Sequence, residues 1–165
     1  MKKKNILLIT SDQQHWNTIG AFNKEIKTPN LDRLVREGST FSRAYCPNPT
    51  CTPTRCTMIT GLYPSQHGGW SLGTKMPENT ETIGDILQDN DYRTALVAKA
   101  HFQHNLQNEK YPSLEAMPIL HDLDFWRKFD EEFYGFEHVE LTRNHTVEFL
   151  VGQHYAIWME DNGQI

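Results

Sequence analysis

Arg93-Thr94-Ala95-Leu96-Val97-Ala98, running straight into Lys99-Ala100-His101, is the stretch on which the fold turns. It reads as a strand of the parallel type with reactive side chains at its carboxyl edge. Asn5-Ile6-Leu7-Leu8-Ile9-Thr10 reads the same way: a short, continuously apolar run, consistent with a strand buried on both faces, that ends in Ser11-Asp12-Gln13-Gln14. Helix signals lie between the two. Thr28 is an N-cap with Pro29 in the first turn, Leu31, Leu34 and Val35 share one packing face, and Gly38 is the stop. Another helix begins near Thr80-Glu81-Thr82 and turns Ile83, Ile86 and Leu87 inward. Strand, helix and strand in alternation give an α/β fold, a mostly parallel central sheet flanked by helices.

The rest of the chain adds to this frame. Thr40 to Tyr45 alternates and reads as a strand. Residues 102–133, with Pro112 and Pro118, read as a long irregular region with one short helix, part of the wall of a substrate pocket. Tyr134 to Glu140 reads as a turn leading into a strand. Val147, Leu150, Val151, His154, Tyr155 and Trp158 recur at helical spacing, with Gly163 as a stop and His154 as a core-edge histidine.

At 165 residues the chain is long enough for a real core. A net charge of −5 argues against non-specific nucleic-acid binding. The apolar run from Ile6 to Ile9 is too short for a signal sequence or a membrane span, so no membrane partner is expected and the cytoplasm is the default location. Cys46, Cys51 and Cys56 are five apart and odd in number, which fits neither a disulfide framework nor the short Cys-x-x-Cys spacing of a zinc site. Cys46 and Cys56 read as small apolar residues.

Ligands of open α/β sheets sit beyond the carboxyl ends of the strands, where Asp12 and the Lys99–His101 pair fall. On an extended backbone Lys99 and His101 point to the same side, one able to neutralise an anionic oxygen, the other to hold a proton. Cys51-Thr52-Pro53-Thr54-Arg55, continuing to Thr60-Gly61, reads as a loop turning into a short helix. Cys51 stands at the positive mouth of that helix, with Arg55 one turn on along the same face. Together they suit a tetrahedral oxyanion such as sulfate or phosphate. Each feature also has an ordinary reading: a buried cysteine before a packing helix, a turn aspartate, a solvated lysine and histidine. His67 reads as a surface or hydrogen-bonded histidine.

Cys51, Pro53, Arg55, Thr60 and Gly61 together resemble the signature of the type I sulfatases of the alkaline phosphatase superfamily, with Thr54 where that family most often has serine. Thr28-Pro29-Asn30-Leu31-Asp32-Arg33-Leu34, then Gly38, Phe41 and Ala44-Tyr45, resemble the family's amino-terminal pattern. Ala98-Lys99-Ala100-His101 stands where the family has Gly-Lys-x-His. The resemblance implies that a formylglycine-generating enzyme oxidises Cys51 to formylglycine, whose hydrate is the nucleophile on a small-molecule sulfate ester. It implies catalytic roles for Cys51, Arg55, Lys99 and His101. It also implies a divalent metal, calcium first with manganese or magnesium open, held by Asp12, Gln13 and the modified Cys51. Asp12-Gln13 in place of the usual Asp-Asp looks more like choline-sulfatase-like enzymes and phosphonate monoester hydrolases, so hydrolysis of phosphonate monoesters or phosphodiesters stays open. The acidic metal ligands and second lysine of the family's other half do not occur before Ile165. Residues 1–165 are therefore expected to be the amino-terminal part of a sulfatase catalytic domain, weakly active at most by itself. A non-catalytic interaction fragment with an unmodified Cys51 thiol is the alternative of another class, and a homo-oligomer is open.

Overall fold

The computed structural model describes residues 3–143 and 151–164. They form two compact units, Met1–Tyr45 and Cys46–Ile165.

In the first unit, helix α1 runs over Pro29–Glu37 between Thr28 and Gly38, as the proline and the two flanking residues predict. Thr28 does not cap through its side chain. Its hydroxyl instead accepts from Gly20 N–H at 2.7 Å and donates to Asp32 Oδ1 at 2.8 Å, tying the preceding loop to the helix. Three expectations fail here. Residues 5–10 belong to no strand, and Ile6, Leu7, Leu8 and Ile9 are 62–82% exposed. Residues 40–45 are likewise without strand structure. A strand is made by its neighbours, and among the described residues the one sheet contains neither segment. The apolar face of α1 is not packed either, with Leu34 59% exposed.

In the second unit the α/β arrangement is present and incomplete. Strand β1 (Ala95–Ala98) pairs in parallel with β2 (His138–Leu141), in the register Leu96 to Val139 and Ala98 to Leu141. Around them come α2 (Cys51–Thr60), α3 (Pro64–His67), α4 (Ile83–Gln88), α5 (Leu123–Trp126) and α6 (Gln153–Asp161). Helix α6 packs on β2 and α5. It starts at Gln153, later than its spacing predicts, and Val147 and Leu150 lie outside the described residues. Among the described residues no helix is long and apolar enough to cross a membrane.

Helix α4 corrects another expectation. Ile83 and Ile86 are exposed, and the contact that seats the helix is made by Gly84. A Cβ there would collide with the Gly135 carbonyl, so the two chains meet backbone to backbone. Thr82 completes the junction, accepting from Gly84 N–H at 3.0 Å and donating to the Tyr134 carbonyl at 2.8 Å. Gly135 has φ 76°, the left-handed turn that precedes β2.

Residues 102–133 are largely irregular with one short helix, as their sequence suggests, and they also build core. They carry a 3-10 turn at Ile119–His121 and helix α5, and they supply Phe102, Leu120, Trp126 and Phe133 to the core. Phe102 stacks on Phe133 and meets Tyr134 edge-on, with ring centroids 6.1 and 5.3 Å apart. Tyr134 O–H reaches the Met76 carbonyl at 2.8 Å, satisfying the polar end of a buried ring.

Candidate active site

Helix α2 is built by short-range chemistry. Asn48 Oδ1 accepts from Thr50 N–H at 2.9 Å, turning the chain into the helix. The Thr54 hydroxyl donates back to the Asn48 carbonyl and closes that turn from the helix side. Serine would supply the same donor, which explains why threonine serves in the motif. At the other end Gly61 adopts the left-handed conformation, φ 71°, and its N–H bonds the Thr57 carbonyl at 2.8 Å. Thr52, Pro53, Cys56 and Ile59 face the interior, leaving Cys51 and Arg55 half-buried on the side.

Cys51 is the first residue of α2, among amide groups that have no partner within the helix. Lys99, just past β1, brings its Nζ to 3.6 Å from the Cys51 sulfur. Arg55 donates from a terminal guanidinium nitrogen to the Lys99 carbonyl at 2.7 Å, fastening the strand edge to the helix. Helix mouth and ammonium group together make a positive setting for an anion beside Cys51. Cys51, Arg55 and Lys99, three positions singled out in sequence, therefore come together.

His101 does not join them in the expected way. Ala98 and His101 have φ of 82° and 61°, so the backbone is reversed rather than extended and the same-side argument for Lys99 and His101 does not hold. The His101 ring, fully buried, lies with Nε2 2.7 Å from Asn105 Oδ1. Its backbone is held by Glu115, which sequence reading missed. Glu115 Oε1 accepts from His101 N–H at 2.6 Å, and Oε2 accepts from Phe102 and Gln103 N–H at 2.7 and 2.8 Å. Burial pushes the Glu115 carboxyl up, while these three donors and the Arg143 charge pull it back. A carboxylate set between Leu114 and Ala116 is the only sequence signal it gives.

Behind the site, His67 is buried rather than on the surface, and it is hydrogen-bonded as expected. Nδ1 accepts from Gly69 N–H at 3.1 Å and Nε2 faces the Thr57 hydroxyl at 3.0 Å, with burial lowering its pKa. Cys56 is buried, and desolvation, with the Glu115 charge second, raises its thiol to about 12. Cys46, read with Cys56 as a small apolar residue, is exposed. His154 sits at the core edge as expected, half-buried, with Nδ1 accepting from Leu141 N–H at 3.0 Å.

The sulfatase family model matches residues 4–154. The chain belongs to the sulfatase family. It is 34% identical over 161 residues to the uncharacterized sulfatase YidJ of Escherichia coli, covering 93% of this chain and 31% of that protein. Human N-acetylgalactosamine-6-sulfatase is 28% identical over 136 residues, covering 74% of this chain and 24% of its own. Human arylsulfatase D is 34% identical over 111 residues, covering 60% and 19%. This sulfatase-family chain thus spans less than a third of the length of these relatives. The crystal structure of Ps i-CgsB aligns with 72% of this chain and 23% of its own, at a TM-score of 0.48 and 23% identity.

Sulfatases use a divalent metal. In the first unit Asp12 and Gln13 lie exposed in a bend, Gln13 with φ 56°. Their carboxylate and amide oxygens are hard donors of the kind calcium, magnesium and manganese take. Among the described residues no group of three or more His, Cys, Asp or Glu side chains is arranged to hold a metal. The oxygen donors fit such an ion in kind and supply only part of its coordination.

Proposed function

We propose that this chain carries the anion-binding half of a sulfuric ester hydrolase whose nucleophile is made from Cys51. The observation that supports it most is the approach of Lys99 Nζ to within 3.6 Å of the Cys51 sulfur at the first residue of a ten-residue helix. A tetrahedral anion seated there accepts from the amides of the helix mouth and from the ammonium group. Arg55 acts first on geometry: its bond to the Lys99 carbonyl holds the strand edge where Lys99 reaches Cys51, and the guanidinium adds positive charge. His101 is the proton-holding group, in a buried setting that excludes competing water. Asp12 and Gln13 would contribute oxygens to a divalent cation, calcium first, which polarises an anionic ester and lowers the pKa of a bound hydroxyl. The formylglycine modification of Cys51 supplies an aldehyde hydrate as the oxygen nucleophile. The small-molecule sulfate ester and the formylglycine-generating enzyme are the partners this reading requires.

The test has two stages. The tryptic peptide 44–55 from native-host material is weighed, and an aldehyde in place of the Cys51 thiol is expected. The full-length protein is then assayed on aryl sulfate and aryl phosphonate esters, with Lys99→Met lowering kcat by about 10²- to 10³-fold, the scale of one lost charge-stabilising donor. An intact thiol with no ester turnover refutes the proposal and leaves a non-catalytic fragment. Preference for the phosphonate moves the assignment to phosphonate monoester or phosphodiester hydrolysis, the reading that Gln13, one negative charge poorer than the usual aspartate, favours.

A further inference from the structure

We propose that Asn105, oriented by Arg143, fixes His101 as its Nε2–H tautomer and so makes Nδ1 the nitrogen on which His101 gains and loses its proton. Its importance for turnover rests on the hydrolase reading above; the tautomer itself does not.

A guanidinium is a donor only and keeps its charge at any ordinary pH. Arg143 is 3% exposed and donates from a terminal nitrogen to Asn105 Oδ1 at 3.0 Å. The opposite orientation of the Asn105 amide would set its NH2 group against the guanidinium, donor against donor. The oxygen therefore faces Arg143. That same oxygen lies 2.7 Å from His101 Nε2. An amide oxygen only accepts, so the hydrogen sits on Nε2. In the neutral ring the lone pair is then on Nδ1, and protonation takes place there.

The frame around this chain of bonds is rigid. Arg143 N–H donates to Gln153 Oε1 at 2.6 Å, and Gln153, fully buried at the start of α6, also reaches the Leu114 carbonyl. His101 N–H is held by Glu115, so backbone and ring are fixed from two sides. The other tautomer would set the Nε2 lone pair against the Asn105 oxygen, acceptor against acceptor. Asn105 is thus a positioning residue. It acts on the reaction through His101.

The decisive experiment is long-range proton–nitrogen NMR of the full-length protein labelled at histidine, with His101→Gln used to assign the signal. The expected pattern is a pyrrole-type Nε2 and a pyridine-type Nδ1 for His101. The same pattern should persist in Asn105→Asp, which keeps an acceptor oxygen, and vanish in Asn105→Leu. On an aryl sulfate, Asn105→Leu should lose about 10- to 100-fold in kcat with little change in KM, the range expected when the partner orienting a functional histidine is removed. Asn105→Asp should recover most of that loss. An Nδ1–H signal or an averaged pair in the wild type overturns the proposal, and so does a normal kcat in a folded Asn105→Leu. Should the wild type turn over no ester, the hydrolase reading falls while the spectrum still decides the tautomer. Turnover accompanied by an Nδ1–H spectrum sinks this inference and leaves that reading standing.

Discussion

Replacing Glu115 by glutamine tests whether the loop that carries Lys99 and His101 is held by a buried charge. The carboxylate accepts three backbone N–H groups, from His101, Phe102 and Gln103, and is 1% exposed. Glutamine of nearly the same shape keeps its oxygen best at the Oε2 position, where two of those donors converge. Its NH2 then stands opposite His101 N–H. Two charge-assisted bonds become ordinary ones, a loss of roughly 0.5–1.5 kcal/mol each, and a buried donor is left unmatched at about 1–3 kcal/mol. Against this, the variant no longer buries a charge, the same desolvation that pushes the Glu115 carboxyl up. The net expectation is a loss of about 2–4 kcal/mol. Glu115→Ala, which strands three donors at once and leaves a cavity, should lose more.

The assay is urea unfolding of the full-length protein followed by tryptophan fluorescence, Trp126 being buried in the same core. The order expected is wild type, then Glu115→Gln, then Glu115→Ala. The midpoint should move without a change in slope. If Glu115→Gln is as stable as the wild type or more so, the charge is a net cost, and the loop is held by packing rather than by the carboxylate. If both variants fall by the same amount, the shape and the remaining acceptor of glutamine count for nothing, and the charge alone carries the effect.

Ala98→Gly should stabilise the chain by about 1 kcal/mol in the same assay. Relief of a non-glycine residue at φ 82° is of order 1–2 kcal/mol, and the greater freedom of glycine in the unfolded chain takes back part of it; a destabilised variant would show that Ala98 is not strained. The part of the stability that neutral His67 and His154 supply should decline as pH falls. Burial lowers the pKa of His67 and His154, so below about 6.5 the unfolded state binds more protons than the folded one, and this stabilisation disappears as pH drops through the folded values. A slope between about pH 7.5 and about pH 5 that is unaltered in His154→Gln contradicts that, the window being set by the ordinary histidine value. In the native protein at neutral pH, Cys46 should alkylate readily and Cys56, buried with its thiol raised to about 12, should not. Modification of Cys56 at the rate of Cys46, read by peptide mass, would place it at the surface.

What was legible in the sequence is what neighbouring residues decide among themselves. Thr28, Pro29 and Gly38 set the bounds of α1, and Pro53 and Gly61 those of α2, because caps and fixed torsions act within one turn. The two strands β1 and β2 were each readable as segments, whereas the strand–helix–strand order leaned on residues 5–10, which form no strand. Burial was not legible, since it belongs to whatever packs on a segment: Ile6 to Ile9 are as apolar as any core strand and lie exposed, while the polar stretch 102–133 buries Glu115 and Gln103. The site shows the same division. Cys51 and Arg55 are one helical turn apart, so their relation could be read. Lys99 and His101 could not be placed from an alternation rule, because the rule presumes an extended backbone and neither alanine nor histidine announces a positive φ. One signal was nevertheless present. The pattern this stretch resembles begins with glycine, and a glycine before the lysine marks a torsion that other residues rarely adopt. Ala98 keeps that torsion at φ 82°, so the departure from glycine changes the cost of the bend and leaves the bend in place. It follows that the substitution bears on stability first, while the Lys99–Cys51 contact is set by Arg55 and the Glu115 clamp on either side of it.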